Sequence, residues 1–106
     1  MKEKKEYNKL VRDNIPDILK NKGINCKFHV ASRQEYENGL YNKLREELEE
    51  FIDNPCVEEF ADMLEVLDGI RFHHEFKIND IKTVKINKIK ERGGFSDRII
   101  LETIEE

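Results

Sequence analysis

The sequence contains no tryptophan, few cysteines and no long apolar run. Cys26 and Cys56 lack the paired spacing of a zinc site or a disulfide framework, so we predict that both are small core residues in a reducing compartment. No stretch approaches the length of a membrane span, and the charged N-terminus lacks the apolar segment of a secretory signal. These absences predict a cytoplasmic protein that does not enter a membrane.

A basic excess, the usual mark of a nucleic-acid-binding domain, is also missing. Charged residues form 40% of the chain, but the net charge is -4 and the sequence pI is about 5.5. We therefore predict no nucleic-acid partner. The basic residues cluster near both ends, in residues 1–12 (MKEKKEYNKLVR) and 82–92 (KTVKINKIKER). This pattern predicts that basic flanks meet an acidic centre at one site.

The 106 residues contain no internal repeat and no low-complexity linker, which predicts a single domain over residues 1–106. A chain of this length buries a modest core, so a partner chain could usefully bury more surface. Most of its apolar residues recur at helical spacing, and we predict a mainly α fold with short extended segments.

The first half of the chain is expected to form two helices. A short helix follows the turn signals before Ile15 and stops at Gly23. A long helix begins at Ser32, which has the spacing of a capping box with Glu35, and continues to about Phe51. Between these helices, residues 25–31 (NCKFHVA) alternate as in a short strand.

The second half is expected to begin with a tight antiparallel partner for the long helix. Asn54 is a good N-cap and Pro55 suits the first helical position, so this helix is predicted to run from about Cys56 to about Phe76. A further helix covers residues 79–92 and ends at Gly93-Gly94. The tail, residues 98–106 (RIILETIEE), fits either a strand or an extended arm.

Acidic residues concentrate in the run 46–65 (EELEEFIDNPCVEEFADMLE), which has no lysine, arginine or histidine. At about 100° per residue, Glu59 falls inside the apolar arc of its helix and Asp62 lies at the edge of that arc. Carboxylates among core side chains are costly unless they are compensated, and Mg²⁺ or Mn²⁺ compensates several at once. The preceding helix has a strip of acids bordering its apolar face: Glu46, Glu47 and Glu50.

Two other interpretations compete with a metal site. Acidic faces on solvated helices are common, and one such helix would be an ordinary surface. An acidic helix pair could also be a catalytically silent module that docks a basic protein partner. The inward angles of Glu59 and Asp62 favour the metal site over the docking surface. Acids inside the apolar arc of a helix contribute nothing to a surface that binds a basic partner.

Three motifs resemble those of one enzyme family. EELEE followed by EFAD is similar to the Glu-Glu-x-x-Glu and Glu-x-x-Asp pair of the all-α nucleoside triphosphate pyrophosphohydrolases, the MazG and phosphoribosyl-ATP pyrophosphohydrolase superfamily. YNKLVRDNIPDIL near the start and ERGGFSDRIILE near the end resemble the flanking signatures of a small MazG-like subgroup. The resemblance covers almost the whole chain, although the loop between the two acid motifs is shorter than in larger MazG proteins.

The resemblance implies a helical bundle, completed by formation of a homodimer or homotetramer, that hydrolyses nucleoside triphosphates. Such enzymes cleave between the α and β phosphates and release a monophosphate and pyrophosphate, and a role against non-canonical nucleotides is implied. Mg²⁺, or Mn²⁺, would be the cofactor. The implied metal ligands are Glu47, Glu50, Glu59 and Asp62, and Glu46 or Glu47 is the implied general base.

The basic flanks then become candidates for phosphate contacts, namely Lys9 and Arg12 near the start and Lys88 and Arg92 on the last helix. For Arg12, an equally simple interpretation is a tether of the N-terminal segment through ion pairs. His73 and His74 are predicted to be ordinary residues near a helix end, because adjacent residues do not share a helix face.

A phosphoribosyl-ATP pyrophosphohydrolase is the remaining alternative within the hydrolases. The KLVRD and RGGF motifs favour the MazG-like branch over it.

Overall fold

The computed structural model describes residues 4–106, and residues 1–3, the start of the predicted basic flank, lie outside the described residues. The described chain is helical, which confirms the prediction of a mainly α fold, and from residue 4 onward it contains no strand. None of the helices in this part of the chain has the length and apolar character needed to cross a bilayer. The four helices are α1 (Ile15–Asn21), α2 (Arg33–Asp53), α3 (Val57–His73) and α4 (Ile78–Arg92).

Helices α2 and α3 form the predicted antiparallel pair. At one end, the rings of Tyr36 and His73 meet edge to face with their centroids 5.4 Å apart. At the other end, the rings of Phe51 and Phe60 are 5.9 Å apart. The start of α2 therefore lies against the end of α3, and the end of α2 lies against the start of α3.

The start of α2 follows the predicted capping signal in part. The Ser32 hydroxyl accepts a hydrogen bond of 3.2 Å from the backbone N–H of Glu35, as a capping residue should. The Glu35 carboxylate contacts His29 Nε2 at 2.8 Å. The side chain of Glu35 thus pairs with a residue that precedes the helix.

The residue predicted to cap the start of α3 instead caps the end of α2. Asn54 is the C-cap of α2, and its N–H donates to the carbonyl of Glu50 at 3.0 Å. Helix α3 begins at Val57, after an extended N-cap at Cys56. Pro55 explains why α2 stops at Asp53, because a proline disfavours helical backbone in the residue before it.

The end of α3 also differs from the predicted position. The helix ends at His73, before the predicted Phe76. Glu75 has a φ of 59°, in the left-handed region, and a right-handed helix cannot continue through that conformation. The boundary lies within the usual error of a few residues.

Two other expectations were wrong. Residues 25–31, predicted to be a short strand, are irregular, with Val30 91% exposed; the tail from residue 98 onward, predicted to be either a strand or an extended arm, forms no strand. An alternating pattern forms a strand only when a second strand satisfies its backbone, and none is present within residues 4–106. Cys26 and Cys56 are exposed free thiols and are not core residues.

The described chain divides into two compact units, one ending at His74 and the other comprising Glu75–Glu106. In the first unit, Leu40 is the one buried hydrophobic residue among the described residues, with 4% exposed. It approaches α3 where that helix has no side chain, since a Cβ added to Gly69 would lie 3.0 Å from Leu40 Cδ2. Similarly, a Cβ on Gly39 would lie 3.2 Å from Leu10 Cβ, so the N-terminal segment packs closely on α2.

Candidate metal centre

Three carboxylates from α2 and α3 converge near the turn of the helix pair. Glu47, Glu50 and Glu59 each place one oxygen so that all three atoms lie within 4.8 Å of one another. Glu47 and Glu50 share one side of α2 because they are three residues apart, and Glu59 lies in the first turn of α3. Oxygens on opposite sides of an octahedral Mg²⁺ would be about 4.2 Å apart, so small side-chain movements would bring all three onto one ion.

Two oxygens of this cluster are buried without compensation. Only 7% of Glu47 is exposed, and Glu59 is half-buried. Within residues 4–106, Glu47 Oε2 and Glu59 Oε2 are enclosed and have no hydrogen-bond partner. A buried oxygen without a partner is costly, and a cation among the three carboxylates would compensate both of these oxygens.

The electrostatics of the cluster also favour a bound positive charge. Burial, followed by repulsion from Glu50, raises the pKa of Glu47, and Lys43 opposes this shift. Burial and then the charges of Glu50 and Asp62 raise the pKa of Glu59. Each of these carboxylates is therefore harder to ionise than an isolated glutamate, and a nearby cation would reverse the effect.

The predicted fourth ligand, Asp62, lies beside the three carboxylates but has a different partner. It is close enough to raise the pKa of both Glu47 and Glu59. Its Oδ1 accepts a hydrogen bond of 2.8 Å from the Arg12 guanidinium. Asp62 as a metal ligand thus stays a prediction, whereas its pairing with the basic N-terminal segment is part of the structure.

Glu46 is also paired with bases and is not among the three converging carboxylates. Lys9 Nζ lies 3.4 Å from Glu46, and Lys43 Nζ lies 3.6 Å from it. Lys43 also reaches Glu47 at 3.7 Å. The sequence interpretation overlooked Lys43, although its spacing of three and four residues from these acids is the usual signal for a helix ion pair.

The acids of the run 46–65 are therefore only partly unpaired. Bases outside the run pair with Glu46, Glu47 and Asp62, while Glu50 and Glu59 form no ion pair within the described part of the chain. The predicted meeting of basic and acidic segments is confirmed for the N-terminal flank.

The four predicted phosphate contacts fall in different units. Lys9 and Arg12 belong to the first unit, and both side chains are more than half exposed while they pair with the acids. Lys88 and Arg92 are exposed residues of α4, in the second unit. Their contact with a substrate phosphate stays a prediction.

A second group of possible ligands lies at the other end of the helix pair, where α2 begins and α3 ends. Glu37, His73 and His74 each offer one atom, and these three atoms lie within 4.8 Å of one another. The sequence interpretation of the two histidines overlooked this group, because Glu37 is distant in the sequence. The predicted antiparallel pairing could have revealed this group, because it places the first turns of α2 against the last turn of α3.

Comparison with known proteins gave no match, since no family model, no curated protein and no solved structure is significantly similar to this chain. The MazG-like resemblance is therefore a hypothesis that rests on the three motifs and on the chemistry of the carboxylate cluster.

Proposed function

We propose that this protein is a MazG-like nucleoside triphosphate pyrophosphohydrolase that depends on Mg²⁺, with Mn²⁺ as an alternative ion. The observation that carries the proposal is the convergence of Glu47, Glu50 and Glu59, with two buried oxygens that have no partner among the described residues. The products would be pyrophosphate and a nucleoside or deoxynucleoside monophosphate. Removal of non-canonical nucleotides is the biological role that we propose for this reaction.

In the proposed mechanism, the carboxylates of Glu47, Glu50 and Glu59 would hold the metal, and Asp62 would be available to it when Arg12 is paired elsewhere. Bound Mg²⁺ would neutralise the triphosphate and lower the pKa of a coordinated water. A carboxylate then takes the proton of the attacking water. Glu46 or Glu47 would take this role: Glu46 lies beside two lysines, and Glu47 is also one of the proposed metal ligands.

The basic residues of the N-terminal segment have a second part in this proposal. Lys9 and Arg12 now pair with acids, and the same side chains would turn to the phosphate oxygens of an incoming triphosphate. When Arg12 leaves Asp62, that carboxylate becomes available to the metal. Substrate binding and completion of the ligand set would thus be coupled through one ion pair.

We also propose that the protein works as a homodimer or homotetramer. Leu40 is the one buried hydrophobic residue within residues 4–106. Phe60, Leu64 and Leu67 recur on one face of α3 and are 50%, 48% and 45% exposed. A second copy of the chain would bury this apolar face and add to a small core.

A catalytically silent interaction module is the second candidate, because the same exposed face of α3 would suit a protein partner. The buried oxygens of Glu47 and Glu59 argue against it, since docking at an exposed surface leaves them uncompensated.

Pyrophosphate release separates these candidates. The purified chain would be assayed on a panel of canonical and modified nucleoside triphosphates, with Mg²⁺ or with EDTA. Glu59→Gln is the test variant, and Glu58→Gln is its matched control, because Glu58 is exposed and precedes Glu59 in the same helical turn. We expect metal-dependent release that Glu59→Gln loses by about 100-fold or more and Glu58→Gln keeps. A folded, Mg²⁺-treated protein that releases no pyrophosphate from any triphosphate would overturn the proposal.

A further inference from the structure

The end of the helix pair remote from the carboxylate cluster holds a group of mixed ligands. Glu37 lies on α2, His73 is the last residue of α3, and His74 caps that helix. Glu37 Oε1 lies 3.3 Å from His73 Nε2 and 3.9 Å from His74 Nε2. One carboxylate oxygen thus faces two imidazole nitrogens that belong to adjacent residues.

Adjacent residues within a helix point about 100° apart, so two neighbouring histidines do not ordinarily share a partner. Here the helix ends between them, and the two rings meet edge to face with centroids 5.0 Å apart. The left-handed conformation of Glu75 follows immediately and prevents the helix from continuing. The local backbone is what lets both rings approach Glu37.

The spacing of these atoms fits a tetrahedral transition-metal ion. With bonds of about 2.0–2.1 Å, neighbouring ligand atoms around Zn²⁺ are about 3.3 Å apart. The distance from Glu37 Oε1 to His73 Nε2 already has this value, whereas the distance to His74 Nε2 is longer, at 3.9 Å. A small rotation of the His74 ring would close the difference.

The surroundings hold these side chains in place. The His73 side chain is only 4% exposed, and its ring is packed edge to face against Tyr36. Arg33 donates a hydrogen bond of 3.5 Å to the His73 carbonyl. The Tyr41 hydroxyl lies 2.6 Å from His74 Nε2, with the two rings stacked, so that this hydrogen bond must yield when the nitrogen takes a metal.

We propose that Glu37, His73 and His74 form a second metal site, separate from the carboxylate cluster, that takes a transition-metal cation of the Zn²⁺ class. Imidazole nitrogens suit Zn²⁺ and its first-row neighbours, whereas the all-carboxylate cluster suits Mg²⁺ or Mn²⁺. The metal would fasten the first turns of α2 to the end of α3. Three protein ligands leave a fourth position for water, or for the Tyr41 hydroxyl once it has moved from His74.

Zinc titration of the full, metal-free chain by calorimetry tests this site. The ligand variants are Glu37→Gln and His74→Gln, both at half-buried positions where folding should survive, as circular dichroism would verify. The matched control is His29→Gln, because His29 pairs with Glu35 in the same kind of histidine–glutamate contact but is largely exposed. Glu50→Gln removes one carboxylate of the other cluster, so it shows whether zinc binds at that cluster instead.

We expect wild type, His29→Gln and Glu50→Gln to share one zinc-binding event that excess Mg²⁺ does not displace. Each ligand variant should weaken that event by at least about 10-fold, the lower range for loss of a group that supports a metal site. Tyr41→Phe removes a hydrogen bond to His74 but none of the three proposed protein ligands, and water can fill the fourth position, so it should retain zinc binding. Absence of zinc binding in the wild type, its loss in Glu50→Gln or His29→Gln, or its retention at full strength in Glu37→Gln and His74→Gln would overturn the proposal.

Discussion

The guanidinium of Arg12 donates a hydrogen bond of 2.8 Å to Asp62 Oδ1, joining positions 50 residues apart in the sequence. Arg12 precedes α1, whereas Asp62 lies on the acidic side of α3, one turn after Glu59. This ion pair holds the N-terminal segment against α2 and α3. It also engages Asp62, one of the acids predicted to bind the metal. A cation and a triphosphate would therefore compete with an existing ion pair.

Replacing Arg12 should affect metal and nucleotide in opposite directions. In Arg12→Gln, Asp62 loses its positively charged partner, so we expect tighter Mg²⁺ binding without nucleotide. For the triphosphate we expect KM to rise by about 10- to 100-fold, because a charge-assisted hydrogen bond contributes about 1.5–3 kcal/mol. Calorimetric Mg²⁺ titration and steady-state kinetics measure the two effects.

Arg45→Gln is a suitable control for Arg12, because Arg45 is exposed on α2 and its guanidinium contacts Asn42. Weaker Mg²⁺ binding in Arg12→Gln, with Arg45→Gln unchanged, would contradict the proposed competition for Asp62.

Glu47→Gln should stabilise the metal-free protein while removing its response to Mg²⁺. The substitution takes a charge out of a buried position where Glu47 Oε2 has no hydrogen-bond partner within residues 4–106. We expect the free energy of unfolding to rise by about 0.5–1 kcal/mol, the scale of one charge interaction near a surface, because the neutral amide is not repelled by Glu50 and Asp62. Denaturant unfolding with and without Mg²⁺ would measure both changes. Glu49→Gln, at an exposed position of the same helix, should leave both unchanged.

The stability difference between wild type and Glu47→Gln should depend on pH. Burial and the neighbouring Glu50 raise the pKa of Glu47, so the folded protein binds more protons than the unfolded chain just above the ordinary glutamate pKa. By linkage, wild-type stability falls as the pH rises through the raised pKa and recovers as the pH drops below it. The advantage of the variant should therefore be largest at neutral pH and shrink on acidification.

The pH dependence of wild-type stability alone would not isolate Glu47, because another carboxyl changes the stability in the opposite direction. The difference from Glu47→Gln is therefore the quantity to measure. Glu37, whose pKa is lowered chiefly by its hydrogen bond to His73, contributes stability that is lost as the pH falls through its lowered pKa. Both proteins contain Glu37, so its contribution cancels in the difference between their unfolding free energies. A difference that is constant from about pH 4 to about pH 8 would show that Glu47 does not titrate as described.

Self-association should depend on the exposed face of α3. Leu64→Gln removes apolar surface from the centre of that face, where the side chain is 48% exposed. We expect sedimentation to show a multiple of the 12.7 kDa chain mass for wild type and a shift toward the single chain for the variant. Glu65→Gln, the next residue on α3, serves as the control. A wild-type protein that sediments as a single chain at micromolar concentration would contradict the proposed oligomer.

Periodicity predicted much of this fold because each long helix has a strong local signal. The spacing of apolar residues gave α2 and α4, and the Ser32 capping signal located the start of α2 to the residue. The angle calculation also placed Glu59 correctly, since a helical wheel depends only on local geometry. Glu47 is buried and its neighbour Glu46 is only half-buried, as expected for adjacent residues at the edge of an apolar face.

Features that depend on distant or competing interactions were not predictable in the same way. Asn54 is a residue type typical of an N-cap, but α2 runs up to it and makes it a C-cap, while Cys56 becomes the N-cap of α3. Residues 25–31 alternate as a strand does, but a strand forms only beside a partner strand. The local pattern does not show whether such a partner is present. The contact of Glu37 with His73 arises only when α2 and α3 pack against each other.

The free thiol of Cys56 has a practical consequence. This residue is exposed and caps α3, three residues before Glu59 in the turn that joins the two acidic helices. A fluorophore attached there, in a Cys26→Ser background, would report on ion or nucleotide binding without any engineered cysteine. The same exposure makes both thiols open to air oxidation, so purification under reducing conditions is needed to keep covalent dimers from being mistaken for the native assembly.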